Sequence, residues 1–475
     1  MVWLASIEVS RHSPQPLTGQ IQTAVKREIA EGVLRPGTRL PSSRALADDL
    51  RVSRSVVVEA YGQLIAEGYL EAVQGSGTRV AGHLAPVPVV PTLLDEGRVP
   101  AVRWDLRTGG AVAAHFPHRE WSGAYQKALR SVGRGELGYP PLSGARELRE
   151  ELTRYLARVR GVRTAPEEIM VVQGFAHGLA LLCSALPRIG IGTVAVEDPG
   201  LVRQQRFIKE AGLSPVPVPV DAEGIDVQAL ARTGVRAVVV TPFHQFPTGV
   251  TLSAQRRAML VNWARQSGGY LIEDDYDGDF WLERRPPPLA LQRLAPDRVV
   301  YAGTASKALA PALRLGWLAA PPAVFTALEQ VRSERDLGSE SLGQLAFAEL
   351  LRGGGLDRHL RRLRTRYRER REALGQAVQR HLPGTAVLGS SAGLHACLRL
   401  PSHTDEALLV TGALNSSVLV RGGREFTTLP GSRRDPTLVV GYAGVPTSAL
   451  VDAVREVGRV WARLPCPERS AVRSA

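Results

Sequence analysis

Lysine is nearly missing from this chain. Of its 59 basic residues only four are lysines, Lys26, Lys127, Lys209 and Lys307, so chemistry that needs a primary amine has four places to occur. Cysteine is as scarce. Cys183, Cys397 and Cys466 are odd in number and far apart, which excludes a disulfide framework or a zinc cluster and suits a reducing compartment. No apolar run approaches the ~18–20 residues of a membrane span. The opening MVWLASIEVSRHSPQ has no basic start followed by a long apolar stretch, so no secretory leader is expected and the reading is cytoplasmic, without a membrane partner. Internal repeats and low-complexity tails are absent as well. What is present is a chain of 475 residues, 44% hydrophobic and 22% charged, which is globular composition and enough for two or three domains.

The formal charge is +13. It is spread unevenly. Residues 1–82 carry nine basic and eight acidic side chains, a net of +1. The densest basic stretch runs from Arg352 to Arg380 and reads as a long helix with Leu356, Leu360, Leu363 and Tyr367 on its buried face and arginines on a solvated one.

Punctuation divides the chain into residues 14–82, a proline-rich linker at 83–103 holding Pro86, Pro88, Pro91 and Pro100, and a large remainder at 104–465. In the first part, Ile21, Val25 and Ile29 make a helical stripe. Pro36-Gly37 makes a turn, Ser43 is the expected cap of a second helix, and Ser53 opens a third that Gly68 can end. YLEAVQGSGTRVAG then alternates around Gly75-Ser76-Gly77 as a hairpin wing. Two short helices, a tight turn and a wing form a winged helix-turn-helix, whose third helix enters the major groove of double-stranded operator DNA. Its leading face offers Ser53, Arg54, Ser55 and Val57 to the bases. Arg44 can reach a phosphate or the minor groove, and Gly75 and Ser76 place the wing against the backbone.

From 104 onward β-branched runs alternate with helix-length segments: IMVV (169–172), TVAVE (193–197), AVVV (237–240), YLIED (270–274) and RVVYAG (298–303). That alternation predicts an α/β fold with a mostly parallel sheet, followed by a smaller α+β part at about 383–465. Polar residues cluster where strands end, which is where open α/β sheets bind ligands. Gly174 leads into a helix whose N-terminus can hold an anion. Thr304, Ser306 and Arg314 add two hydroxyls and a forked cation, a phosphate cup with Lys307 beside it. An amine next to such a cup, with an aspartate nearby, suits an aldehyde cofactor carrying a phosphate and a basic ring.

GVLRPGTRLPSSRALADDLRVSRSVVVEAYGQLIAEGYL closely resembles the GntR-type winged helix, with Val56 where that family usually has threonine. GYPPLSG, EDPG, TPFHQFPTGV, IEDDYD and GTASKALAPALRLGW resemble the fold-type I, pyridoxal-5′-phosphate-binding aminotransferases. Together, in this order, they resemble the MocR family of transcription regulators. The resemblance implies that Lys307 forms the Schiff base with pyridoxal phosphate. It implies that Asp274 pairs with the pyridine nitrogen, Tyr276 bonds the phenolic oxygen, and the backbone at Phe175 and Ala176 joins Thr304, Ser306 and Arg314 on the phosphate. It also implies a homodimer in which Tyr139 reaches the neighbouring subunit's phosphate. His244 and Gln245 would shape the pocket, Asp275 and Asp277 would be structural, and no metal is expected.

Three departures from the aminotransferase pattern bear on function. Phe246 replaces the asparagine that bonds the phenolic oxygen. Leu201 stands where an aromatic stacks on the ring. Val439 occupies the place of the arginine that clamps a substrate carboxylate, which leaves Arg421 and Arg424 as substitute anchors and implies little or no transamination. The expected function is therefore a cofactor-dependent transcription regulator that senses a small molecule, with pyridoxal phosphate itself favoured over an amino acid or amine. It would control genes of cofactor synthesis or of amino acid and amine metabolism. The rival reading is a working aminotransferase with an accessory DNA-binding domain.

Overall fold

A computed structural model describes residues 9–10, 13, 15–30, 32–73, 77–81, 102–108, 112–133, 137–429 and 435–464. The chain forms two compact units, residues 1–99 and 100–475. Residues 82–101, which hold most of the linker expected at 83–103, lie outside the described residues, as do Gly75 and Ser76.

The head contains α1 (Leu17–Ala30), α2 (Ser43–Leu50), α3 (Arg54–Ala66), β1 (Leu70–Val73) and β2 (Gly77–Val80). The stripe of Ile21, Val25 and Ile29 packs with Leu34, Leu46, Tyr61, Leu64 and Val80 into one core. The cap of α2 is one residue earlier than its sequence suggests. Ser42 takes the extended conformation and its Oγ accepts the N–H of Ala45 at 3.2 Å, which puts Ser43 inside the helix. Arg51 closes α2 in the left-handed region, φ 54°, and so sets the tight turn into α3. The wing is antiparallel as expected, Leu70 opposite Val80 and Val73 opposite Gly77.

In the body, β4 (Ile169–Val172), β5 (Thr193–Asp198), β6 (Ser214–Asp221), β7 (Gly224–Ile225), β8 (Ala237–Val240), β9 (Tyr270–Asp275), β10 (Val299–Thr304) and β11 (Gly316–Ala319) form one sheet in the order β4-β11-β10-β9-β8-β5-β6-β7, with the short β3 (Trp104–Asp105) outside it. The central pairs β10/β9, β9/β8, β8/β5 and β5/β6 are parallel. Successive residues pack on opposite faces, so both faces are covered. Ala237 and Val239 of β8 enter a core with α6 (Phe175–Ala185) and α10 (Pro322–Arg335), and Val238 and Val240 enter one with α9 (Ala254–Ser267). Helices α4 (His118–Ser131), α5 (Arg146–Arg160), α7 (Val202–Glu210), α8 (Val227–Arg232) and α11 (Leu342–Arg352) complete the large part. The arginine-rich segment is α12 (Gly355–His381), with Leu356, Leu360, Leu363 and Tyr367 buried.

The smaller part pairs β12 (Ala386–Leu388), β13 (His395–Arg399), β16 (Thr437–Gly441) and β15 (Arg421–Gly422) in one antiparallel sheet with α13 (Glu406–Asn415) and α14 (Thr447–Arg463). Its β14 (Val418–Leu419) pairs in parallel with β3, so the start of the body belongs structurally with its end.

Candidate functional site

The cofactor-type residues converge at the carboxyl ends of β9 and β10. A cavity of about 510 Å³ is lined by Phe175, Ala176, Phe246, Asp274, Tyr276, Thr304, Ser306, Lys307 and Arg314, nine of the ten residues expected for a cofactor. Tyr139, the tenth, is 86% exposed on the single chain and does not line it.

Local geometry explains the anion end of this cavity. Gly174 has φ +80° and leads into α6, whose first N–H groups have no side-chain cap. A Cβ on Gly174 would lie 2.9 Å from the guanidinium of Arg314, so only glycine lets backbone and cation share the spot. Arg314 is itself left-handed, φ 51°, and donates to the carbonyl of Gln173. Thr304 Oγ1 donates to Ser306 Oγ at 3.0 Å and accepts the Ser306 N–H at 3.1 Å. Two hydroxyls, a guanidinium and a helix N-terminus make a donor set fitted to a phosphate dianion.

The other end fits a basic ring. Asp274 is buried, and burial first, then the Asp275 and Asp277 carboxylates, push its carboxyl well above the usual range. Its Oδ2 accepts Gln204 Nε2 at 3.3 Å, while its Oδ1 has no partner. A buried carboxylate oxygen left unpaired costs stability and calls for a cationic donor such as a protonated pyridine. Lys307 is half-buried. Burial lowers its amine below the ordinary lysine value, against the opposing pull of Asp277 and Asp274.

Other side chains hold the walls. Asp275 is spent on a buried ion pair with Arg160, 2.6 Å, and on the Tyr301 hydroxyl, 2.6 Å. Tyr276 Oη donates to the His244 carbonyl at 3.0 Å. Glu197 lines the cavity and accepts from Thr241 N–H, Thr241 Oγ1 and Gln245 Nε2 at 3.1, 2.5 and 3.2 Å; burial raises its carboxyl to about 7. Phe246 packs edge-on against Phe426, ring centres 5.1 Å apart, and lies 5.2 Å from His395. Asp198, fully buried, ties the EDPG turn to the segment after Phe426: its Oδ2 accepts Thr428 N–H, Thr428 Oγ1 and Leu429 N–H at 2.6, 2.8 and 3.0 Å.

The structure does not bring the two substitute anchors into this cavity. Arg424 lines a second one of about 780 Å³ with Arg399, Glu406 and Asp435, and Arg421, opposite Val439 on β15, lies 3.8 Å from Glu425. The arginine that joins Arg314 in the cofactor cavity is Arg203, near the start of α7, with Gln204 beside it. Sequence reasoning missed both, although they follow EDPGL by two and three residues.

On the head, Arg44, Ser53, Arg54 and Ser55 are exposed, and Arg54 Nε donates to Ser43 Oγ at 3.4 Å, joining the starts of α2 and α3. Val57 corrects the expected reading face. It is fully buried in the head's core, one position round the helix from the outward residues, whereas Val58 is half exposed.

A cup for a phosphate and a buried acid with one unpaired oxygen, at the strand ends of a covered parallel sheet, define a pyridoxal-phosphate-binding protein of the aminotransferase fold, here carrying a winged helix-turn-helix. The chain matches the model "Aminotransferase class I and II" over residues 113–456 and "Bacterial regulatory proteins, gntR family" over 17–80. It belongs to the HTH-type transcription regulators of the MocR kind, in which a GntR-type head is joined to an aminotransferase-like body. It is 34% identical to the pyridoxine biosynthesis transcriptional regulator PdxR of Corynebacterium glutamicum, covering 92% of this chain and 94% of that one. It is 30% identical to the probable rhizopine catabolism regulatory protein MocR of Rhizobium meliloti, covering 94% of each. Among solved structures, the body resembles the Pyrococcus horikoshii kynurenine aminotransferase, with a TM-score of 0.69 at 23% identity over 77% of this chain and 91% of that one. No helix among the described residues is long and apolar enough to cross a membrane.

Proposed function

We propose that this DNA-binding regulator holds pyridoxal phosphate on Lys307 and changes operator occupancy when a small carboxylate-bearing amine enters the same cavity. The observation that carries the cofactor part is the unpaired Oδ1 of buried Asp274 in one cavity with Lys307. The bound cofactor supplies an electrophilic carbonyl carbon and a ring that withdraws electrons. The chain does the rest. The N–H groups of Phe175 and Ala176, with Thr304, Ser306 and Arg314, hold the phosphate. Asp274, oriented by Gln204, binds the ring nitrogen. Tyr276 would turn its one hydroxyl proton from the His244 carbonyl to the phenolic oxygen, and it stays a donor because burial, then Asp277 and Asp274, raise its hydroxyl well above the ordinary value.

The effector part rests on Arg203. A carboxylate entering a partly buried site needs a forked cation, and Arg203 lines the cavity that Val439 leaves without one. A second reading, in which the effector is pyridoxal phosphate itself, draws on Leu201. This aliphatic lining residue forgoes the ~1 kcal/mol of an aromatic stack and leaves cofactor affinity modest. In either case ligand binding acts by favouring one disposition of the two heads in a cytoplasmic homodimer, with Tyr139 completing the neighbouring subunit's cup.

Operator binding by apo-protein, titrated first with pyridoxal phosphate and then with amino acids, separates the readings. One amino acid that shifts both the cofactor spectrum and DNA affinity, and loses both effects in Arg203→Gln, supports the first. A DNA response to pyridoxal phosphate alone supports the second. Rapid turnover of an amino acid with a keto acid, with no change at the operator, returns the protein to the aminotransferases.

A further inference from the structure

A polar cluster that none of the roles above uses includes His395, which lines the same cavity as Lys307. His244 follows β8, Asp277 follows β9, and His395 begins β13; each is at most 2% exposed. His244 Nδ1 and Asp277 Oδ2 are 2.8 Å apart, so the imidazole donates there to the carboxylate. Tyr276 Oη sits 3.3 Å from the same Nδ1 while it bonds the His244 carbonyl. The His395 ring lies 4.6 Å from that of His244, and its Nε2 is 3.2 Å from the Pro247 carbonyl. Burial, then His244, keeps the His395 imidazole well below its ordinary value, so it adds no positive charge.

The chain makes room for this contact at some cost. Gly393 has φ +67°, and a Cβ there would stand 2.2 Å from both Asp277 Oδ2 and His244 Nδ1. Gly249, φ +74°, would place one 3.2 Å from His244 Nε2. Three strands' ends and two glycines therefore pin one imidazole and one carboxylate with no space for solvent between them. Among the described residues, the charged and titratable groups that face this corner include Lys307, Asp274, Tyr276, Glu197, His395, Arg371 and Tyr442. Burial lowers the Lys307 amine, and the Asp277 and Asp274 carboxylates oppose it.

We propose that His244 and Asp277 are a positioning dyad of the cofactor site: the imidazole holds the carboxylate against Lys307, favouring a protonated nitrogen at the residue's link to the cofactor, and the same imidazole aims the Tyr276 hydroxyl. The proposal rests on Lys307 as the residue that carries the cofactor. Asp274 then governs the ring nitrogen and Asp277 the linking nitrogen, a division of labour between two acids only three positions apart. The dyad moves no proton in its own right. It biases where a proton resides, as an opposite charge at short range does.

The test is the absorption of the loaded protein as a function of pH, which reports the protonation of the linking nitrogen without any turnover. Asp277→Asn keeps the shape and removes the charge. Its spectral midpoint should fall by about one pH unit or more. Asp277→Glu should recover part of that shift, and His244→Gln should give a smaller shift in the same direction. A midpoint in Asp277→Asn that matches the native one, with the cofactor still bound, overturns the proposal. If Asp277→Asn does not accumulate as folded protein, His244→Gln decides on the same criterion. Borohydride reduction keeps the underlying reading separate. A label missing from Lys307 in the native protein refutes the cofactor assignment, and a label present with unmoved midpoints refutes only the dyad.

Discussion

At the scale of single residues, the cofactor end of the cavity is built from groups that are costly until something binds them. Asp274 is the clearest case, since a carboxyl pushed up by burial regains its charge only when a cation arrives. Asp274→Asn should therefore weaken cofactor binding about a hundredfold or more, read by fluorescence or dialysis, while leaving the fold intact. Lys307→Ala should abolish borohydride-stable labelling and retain weak binding through the cup, and a label found on Lys26, Lys127 or Lys209 would refute the assignment. Burial lowers the Lys307 amine, so it is neutral at a pH where a surface lysine is still charged. Loading with the cofactor should accelerate as pH rises and level off at a lower pH than for a free lysine. Most of this was legible in sequence, because Thr304, Ser306, Lys307 and Arg314 come from one continuous string. The support was not. Gln204 on Asp274, His244 on Asp277 and Asp198 on Thr428 join residues 33 to 230 positions apart, and no local pattern announces such pairs.

At the scale of elements, sequence periodicity located the strands whose two faces are both buried and failed where chemistry overrode it. β6 carries Pro215, Pro217 and Pro219 and is not among the β-branched runs of the sequence, yet its residues Ser214 to Pro219 pair with β5. Proline is tolerated there because β7, its other neighbour, reaches only Val220 and Asp221, leaving the rest of that side as an edge. The recognition helix shows the opposite limit. Arg54 and Val57 are three positions apart on α3, close enough for a sequence reading to give them one face, but burial separates them. Arg54→Ala should cost about 1–3 kcal/mol of operator affinity and leave thermal stability unchanged. Val57→Ala should destabilise the head by about 1–3 kcal/mol through a lost core contact, read as a lower melting temperature, while specificity among operator sequences is retained. If Val57→Ala alters base preference without loss of stability, the inward assignment is wrong.

At the scale of the whole molecule, a head with a net charge of +1 has little electrostatic attraction of its own for a phosphate backbone. In the proposed homodimer, useful affinity would come from two heads on one operator, the second bound at the high effective concentration set by the first. Residues 1–82 alone should bind a full operator far more weakly than the intact chain, and equal affinity in a gel-shift titration would contradict this. The fastening of the EDPG turn by Asp198 bears on time rather than affinity. Asp198→Ala would remove the acceptor of the partly exposed N–H groups of Thr428 and Leu429, at about 1 kcal/mol for each hydrogen bond lost, and cofactor release should quicken about tenfold or more. A regulator whose occupant departs slowly keeps reporting a metabolite after the pool has fallen. On the proposed function, the carboxylate that latches the turn would set how long the promoter remembers, a delay that mixing apo-acceptor with loaded protein and following the loss of colour would measure directly.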